Sequence, residues 1–170
     1  MLYKLIGAII IVLACGGVGF QLAAQFRSEE KSLYNLLSIL DFMECQLRYQ
    51  LTPLPTLCRE VATVFPQVPG HFFSELSRIM ESQQIQDVES CVCQALNSCG
   101  NIPDITKIII SDLGKTIGRF DLDGQLKGLA AAKNECKRNL NILATCRETR
   151  LRSYQTLGLC AGAAIAILLI

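Results

Sequence analysis

Two uncharged apolar runs bracket this chain, and helical periodicity fills the space between them. Leu5 to Leu22 is a run of 18 residues with no charge, and Gln21 is its one strongly polar member. That is about the minimum length for crossing a bilayer as a helix, the cheapest way to satisfy backbone polar groups in lipid. Thr156 to Ile170 is a second run of 15 residues. With Tyr154 as an interfacial residue, it fits a thin or tilted span. The expected organisation is a transmembrane anchor over 1–24, a cytoplasmic helical domain over 25–153 and a second anchor over 154–170.

Between the runs, apolar residues recur at three- and four-residue steps, the helical period. Ser28 is placed to cap a first helix with Glu29 and Glu30 in its first turn. Leu33, Leu36, Leu37, Leu40, Met43, Leu47 and Leu51 then form one face. This helix is expected to continue from the membrane segment. Thr52-Pro53 reads as a capping hydroxyl followed by proline at the first helical position. Leu54, Leu57, Val61 and Val64 give the next face, closed by Pro66 and Pro69-Gly70. A third helix over 71–83 carries Phe72, Phe73, Leu76, Ile79 and Met80. A fourth over 87–98 carries Val88, Val92, Ala95 and Leu96. Pro103 opens a fifth with Ile105, Ile108, Ile109, Leu113 and Ile117, ending near Gly118. From Asp121 a single helix of about 45 residues, nearly 70 Å at 1.5 Å each, runs into the second apolar segment. The predicted fold is all-α: about six helices in an antiparallel bundle, with long first and last helices continuing into transmembrane segments.

Composition agrees with an uneven chain. Hydrophobic residues are 51% and charged residues 18%, below the ~25% of soluble domains. The net charge is +1, and no basic stripe marks a nucleic-acid surface. Arg27 and Lys31 follow the first run, and Arg147, Arg150 and Arg152 precede the second. Only Lys4 and the amino terminus flank the other side, so the positive-inside rule places the middle in the cytoplasm. A cleaved signal peptide fits less well, because no small-x-small site precedes a polar start. A competing reading takes Val12-Leu13-Ala14-Cys15 as a loose lipobox. It makes the chain a lipid-anchored or exported helical interaction protein with its domain outside the membrane. Against it, the apolar run continues past Cys15. Small residues at four-residue spacing, Gly158, Gly162 and Ala166 in the second run, suit close helix packing in lipid.

Candidate chemistry is thin. Leu113-Gly114-Lys115-Thr116 ends like a phosphate-binding loop, but Ile109 stands where that loop needs glycine, and no strand precedes it. Asp121-Leu122-Asp123-Gly124 lacks the remaining ligands of a calcium loop, and helix capping by Asp121 explains it better. Cys91-x-Cys93 places two thiols on different helix faces. Of nine cysteines, the seven outside the apolar runs read as free thiols in a reducing compartment. With one histidine and no tryptophan, nothing nominates a catalytic set, a metal, a cofactor or a small-molecule substrate.

Several stretches carry a family likeness. One is Lys4-Leu5-Ile6-Gly7-Ala8-Ile9-Ile10-Ile11-Val12, with Phe20 closing the run. It is followed by Leu33 to Leu54, ending in Arg48-Tyr49-x-x-Thr52-Pro53-Leu54. The other is Leu113-Gly114-x-x-Ile117-Gly118-x-x-Asp121-x-x-x-Gln125, the long polar helix, and Tyr154-x-x-Leu157-Gly158-x-x-Ala161-Gly162. In order and spacing the chain resembles the stage III sporulation protein AB family of endospore-forming Firmicutes. Ile117, where the family tends to leucine, and the many cysteines depart from its pattern. The resemblance implies a component of the mother cell–forespore channel complex, in the mother-cell membrane. It also implies a domain similar to that of type II secretion F platform proteins. The implied partners are other stage III sporulation A proteins, in particular the AA ATPase, together with membrane lipid. It points to Arg48, Tyr49, Thr52, Pro53, Gly118, Asp121 and Gln125 as the partner interface or hinge. A cap or a helix break explains several of these without any partner.

Overall fold

The computed structural model describes residues 2–82, 87–100, 102–117 and 121–169, with side chains over 25–82, 87–100, 102–117 and 121–145. Six helices occupy them: α1 Leu2–Gln50, α2 Leu54–Val64, α3 Gly70–Glu81, α4 Val88–Ser98, α5 Asp104–Gly114 and α6 Leu122–Leu169. The chain is all-α, with antiparallel contacts between its helices. It divides into two compact units: Glu29–Leu140, and Met1–Ser28 with Asn141–Ile170.

The terminal helices dominate. α1 has 49 residues and α6 has 48, each about 70 Å long at 1.5 Å per residue. Ser28 lies inside α1 rather than capping it, because no helix breaker stands between Leu22 and Leu33 to end the preceding turns. Glu29 and Glu30 therefore do not meet a helix start. Within the Glu29–Leu140 unit, Asp41 and Glu44 of α1 meet Lys133 of α6. Among the described residues no helix holds a stretch long and apolar enough to cross a membrane. The two apolar runs lie where side chains are outside the described residues, as do the side chains of Gly158, Gly162 and Ala166.

The core of the first unit forms from α1 leucines packed under the short helices. Leu33, Leu36, Ile39, Leu40, Met43 and Leu47 are buried along α1. Leu57, Cys58 and Val61 bury one face of α2, and Phe72, Phe73, Leu76 and Ile79 one face of α3. Consecutive short helices pack on each other, α2 on α3, α3 on α4 and α4 on α5. Val64, Ile108 and Leu51, expected on apolar faces, are exposed instead. In α5 the buried face is Thr106, Ile109, Ile110, Leu113 and Gly114, with Ile117 buried just beyond the helix, so the true stripe is rotated from the one through Ile108. With isoleucine at 108, 109 and 110 alike, the sequence allowed either phase.

Polar contacts fix the register. Thr106 Oγ1, fully buried, bonds Ser32 Oγ at 3.1 Å and ties α5 to α1. Asn35 Nδ2 donates to the Val68 carbonyl at 3.1 Å, holding the α2–α3 connection on α1. A Cβ on Gly128 would stand 2.4 Å from Thr116 Oγ1, so the α6 backbone at Gly128 lies against the Thr116 side chain, two residues beyond α5. Lys133 Nζ reaches Asp41 Oδ1 at 2.5 Å and Glu44 Oε2 at 2.8 Å, and its side chain is 20% exposed.

That cluster sets a pH dependence. Hydrogen bonds from Lys133, then Arg48, hold the Glu44 carboxyl below its ordinary value of 4.5. Hydrogen bonds to Asp41, then Glu44, hold the Lys133 ammonium above its ordinary 10.5. The Glu44 contribution is therefore full above the ordinary carboxylate value and fades as acid passes its lower folded value. The Lys133 contribution is full below the ordinary lysine value and fades as pH rises through its higher folded value. Lys133→Met is expected to cost about 1–3 kcal/mol at pH 7. It should also flatten both limbs of a stability–pH curve measured by urea denaturation. An unchanged acid limb would mean that Glu44 is not held by Lys133.

Candidate functional site

The residues nominated for a partner interface fall on the last turn of α1, the 51–53 connection and the start of α6. Arg48 is exposed and bonds Glu44 Oε1 at 2.9 Å. Tyr49 is 78% exposed. Thr52 is half-buried. Pro53 is not the first helical residue; it is the N-cap of α2, and no side chain caps that helix. Thr52 therefore lies one position too early to cap. Asp121 is exposed and accepts from the Gly124 amide at 3.0 Å, the capping role expected of it. Gln125 is half-buried, and its backbone amide donates to the Asp121 carbonyl at 3.0 Å. Gly118 lies outside the described residues. Arg48, Tyr49, Thr52 and Pro53 thus follow one another at the end of α1, and Asp121 and Gln125 share the first turn of α6.

One residue there escaped the periodic reading. Leu51 continues the α1 stripe in sequence, yet it sits beyond the helix with φ 52° and 68% exposure. The signal was Thr52-Pro53. A residue before proline is driven from the helical region, so the helix must close just before it, often through a left-handed residue.

The motifs that looked like chemistry resolve as local structure. Lys115 follows the end of α5 and pairs with Asp112 at 2.7 Å. Thr116 Oγ1 donates to the Leu113 carbonyl, and Gly114 packs against Val92. Cys45, Cys58, Cys91, Cys93, Cys99 and Cys136 are free thiols. Burial pushes the thiols of Cys58 and Cys136 up to about 12, whereas Cys45 and Cys93 are exposed. Among the described residues no three His, Cys, Asp or Glu side chains gather as a metal site. His71 is exposed at the start of α3. A void of about 20 Å³ between Met43, Cys58, Phe73, Val92, Ile110 and Leu113 is apolar and holds about one water's worth of space.

The profile of stage III sporulation protein AB matches residues 4–170. Stage III sporulation protein AB of Bacillus subtilis (strain 168) is 23% identical over 169 residues, 98% of each chain. A solved structure of a stage III sporulation protein AB is similar in fold, with a TM-score of 0.63 at 18% identity. It covers 72% of this chain and 98% of its own.

Proposed function

Since the chain belongs to the stage III sporulation protein AB family, we propose that it is a membrane-anchored assembly component of the mother cell–forespore channel complex. In this reading both terminal runs are anchors and the helical unit stands on the cytoplasmic side. The protein is a scaffold and not an enzyme. Residues of the α1–α2 connection and the start of α6 dock the secretion-type AA ATPase of the same complex. The observation that carries the docking site is the exposure of Arg48 and Tyr49 at the end of α1 and of Asp121 at the start of α6. Charge placement around the two runs supports the orientation. The likeness to type II secretion F platform proteins supports the choice of an ATPase, as an analogy of fold.

The test is co-purification of the full chain with the ATPase from cells making both. The double variant Arg48→Ala, Gln125→Ala should capture at least about tenfold less ATPase, the scale of losing a contact residue worth ~1.4 kcal/mol. Its thermal midpoint should stay near that of the parent. Undiminished capture with normal spore yield would remove these residues as contacts.

A further inference from the structure

α4 and α5 pack on each other and leave an open groove of about 330 Å³ on their outer side. Leu96 and Asn97 of α4 line it together with Lys107, Ile108, Ser111 and Asp112 of α5. On α5 these four residues form two rows at helical spacing, Lys107 with Ser111 and Ile108 with Asp112. Ile109 and Ile110 are buried in the core, whereas Ile108 lines the groove and is 63% exposed. Leu96, half-buried, supplies the apolar surface of α4.

The polar groups of the groove differ in what they already hold. Asp112 Oδ1 accepts from Lys115 Nζ at 2.7 Å, so its charge is matched. Lys107 is matched poorly: Nζ lies 3.9 Å from Asp104 Oδ1, and the Asp104 side chain is 95% exposed. Such an exposed pair contributes little. Asp104 stands in the first turn of α5, where the helix dipole already favours a carboxylate. Lys107, Ser111 and Asn97 each carry a hydrogen-bond donor. The groove therefore combines two aliphatic side chains with a surplus of donors and one cation to be satisfied.

We infer that this groove takes a helix of another protein that presents an aliphatic side chain and, within one turn of it, a carboxylate. The aliphatic group lies against Leu96 and Ile108, and the carboxylate meets Lys107. The inference goes beyond the proposed ATPase-docking residues and does not rest on them. Shape decides the class of occupant. Small-molecule sites enclose most of their ligand. An open groove between two helices instead suits side chains projecting from a partner helix.

The test places a photo-crosslinking residue at position 104 of the full-length chain, one turn before Ile108. Sporulating cells are irradiated, and the crosslinked peptide is identified by mass spectrometry. The peptide is expected to come from another protein and to carry Asp or Glu within four residues of Leu, Ile or Val. Ile108→Ser and Lys107→Glu should each lower the crosslink yield about tenfold, and Lys107→Arg should keep it. All three should keep the parent's thermal midpoint, as surface substitutions do. A crosslink to a second copy of this chain, a peptide without such a carboxylate, or no crosslink at all would overturn the inference. So would a yield indifferent to Ile108→Ser or Lys107→Glu, a loss with Lys107→Arg, or a lowered midpoint for Ile108→Ser.

Discussion

Replacing Gly70 by alanine is expected to cost at least about 3 kcal/mol, the upper range for overpacking a closed site. Gly70 opens α3 immediately after Pro69. A Cβ built there would lie 1.6 Å from the Phe65 carbonyl oxygen and 2.8 Å from its carbon. Both are backbone atoms, so no rotamer change relieves the overlap. Phe65 has little room to retreat: its amide donates to the Val61 carbonyl, and its ring meets Phe42 edge-on at 6.0 Å. The connection from α2 to α3 must therefore open. That also strains the Asn35 bond to the Val68 carbonyl. A domain of this size has roughly 5–15 kcal/mol in all. Gly100→Ala is the control, since a Cβ there meets nothing within 4 Å. Urea midpoints of the two variants check the contrast, and a parent-like midpoint for Gly70→Ala would show that the turn relaxes freely.

The second large effect is expected at Phe72→Ala. Phe72 is 1% exposed and lies edge-on to Phe73 at a centroid distance of 5.1 Å. It projects from α3, which packs on both α2 and α4. Truncation of a buried phenylalanine costs about 3–5 kcal/mol, part transfer energy and part cavity. The site cannot collapse easily, because Phe72 and Phe73 already border the small void behind Cys58 and Val92. A fall in thermal midpoint of roughly 10–15 °C follows at a few degrees per kcal/mol. Phe72→Leu should fall much less. Equal losses for both would mean that volume at this position does not matter.

The proposed docking residues belong to the same unit as this core. Much of the arrangement was legible from spacing alone. The stripes of α1, α3 and α6 repeat at three and four residues, and the buried leucines of α1 fall on theirs. What periodicity could not fix was phase in α5, where three adjacent isoleucines satisfy more than one face and Thr106 is the residue buried with them. Thr106 is legible only with its partner, because a buried hydroxyl needs Ser32 across the helix pair. Caps were legible where a side chain does the work, as at Asp121, and misread at Thr52-Pro53. There the helix starts one residue later and without a side-chain cap. The candidate site was half visible. Its residues could be named beside the family resemblance, but spacing could not say how they are placed. Leu51 was hidden because its spacing matched the stripe and its backbone did not.

In the proposed function the helical unit stands on the cytoplasmic side of a membrane held by both ends of the chain. Cys45 tests this most directly, since it is exposed on α1. A membrane-impermeant maleimide is added to intact and to permeabilised sporulating cells, and labelling is read on the peptide carrying Cys45. The account predicts labelling only after permeabilisation. Labelling of Cys45 in intact cells would place the domain outside and contradict it.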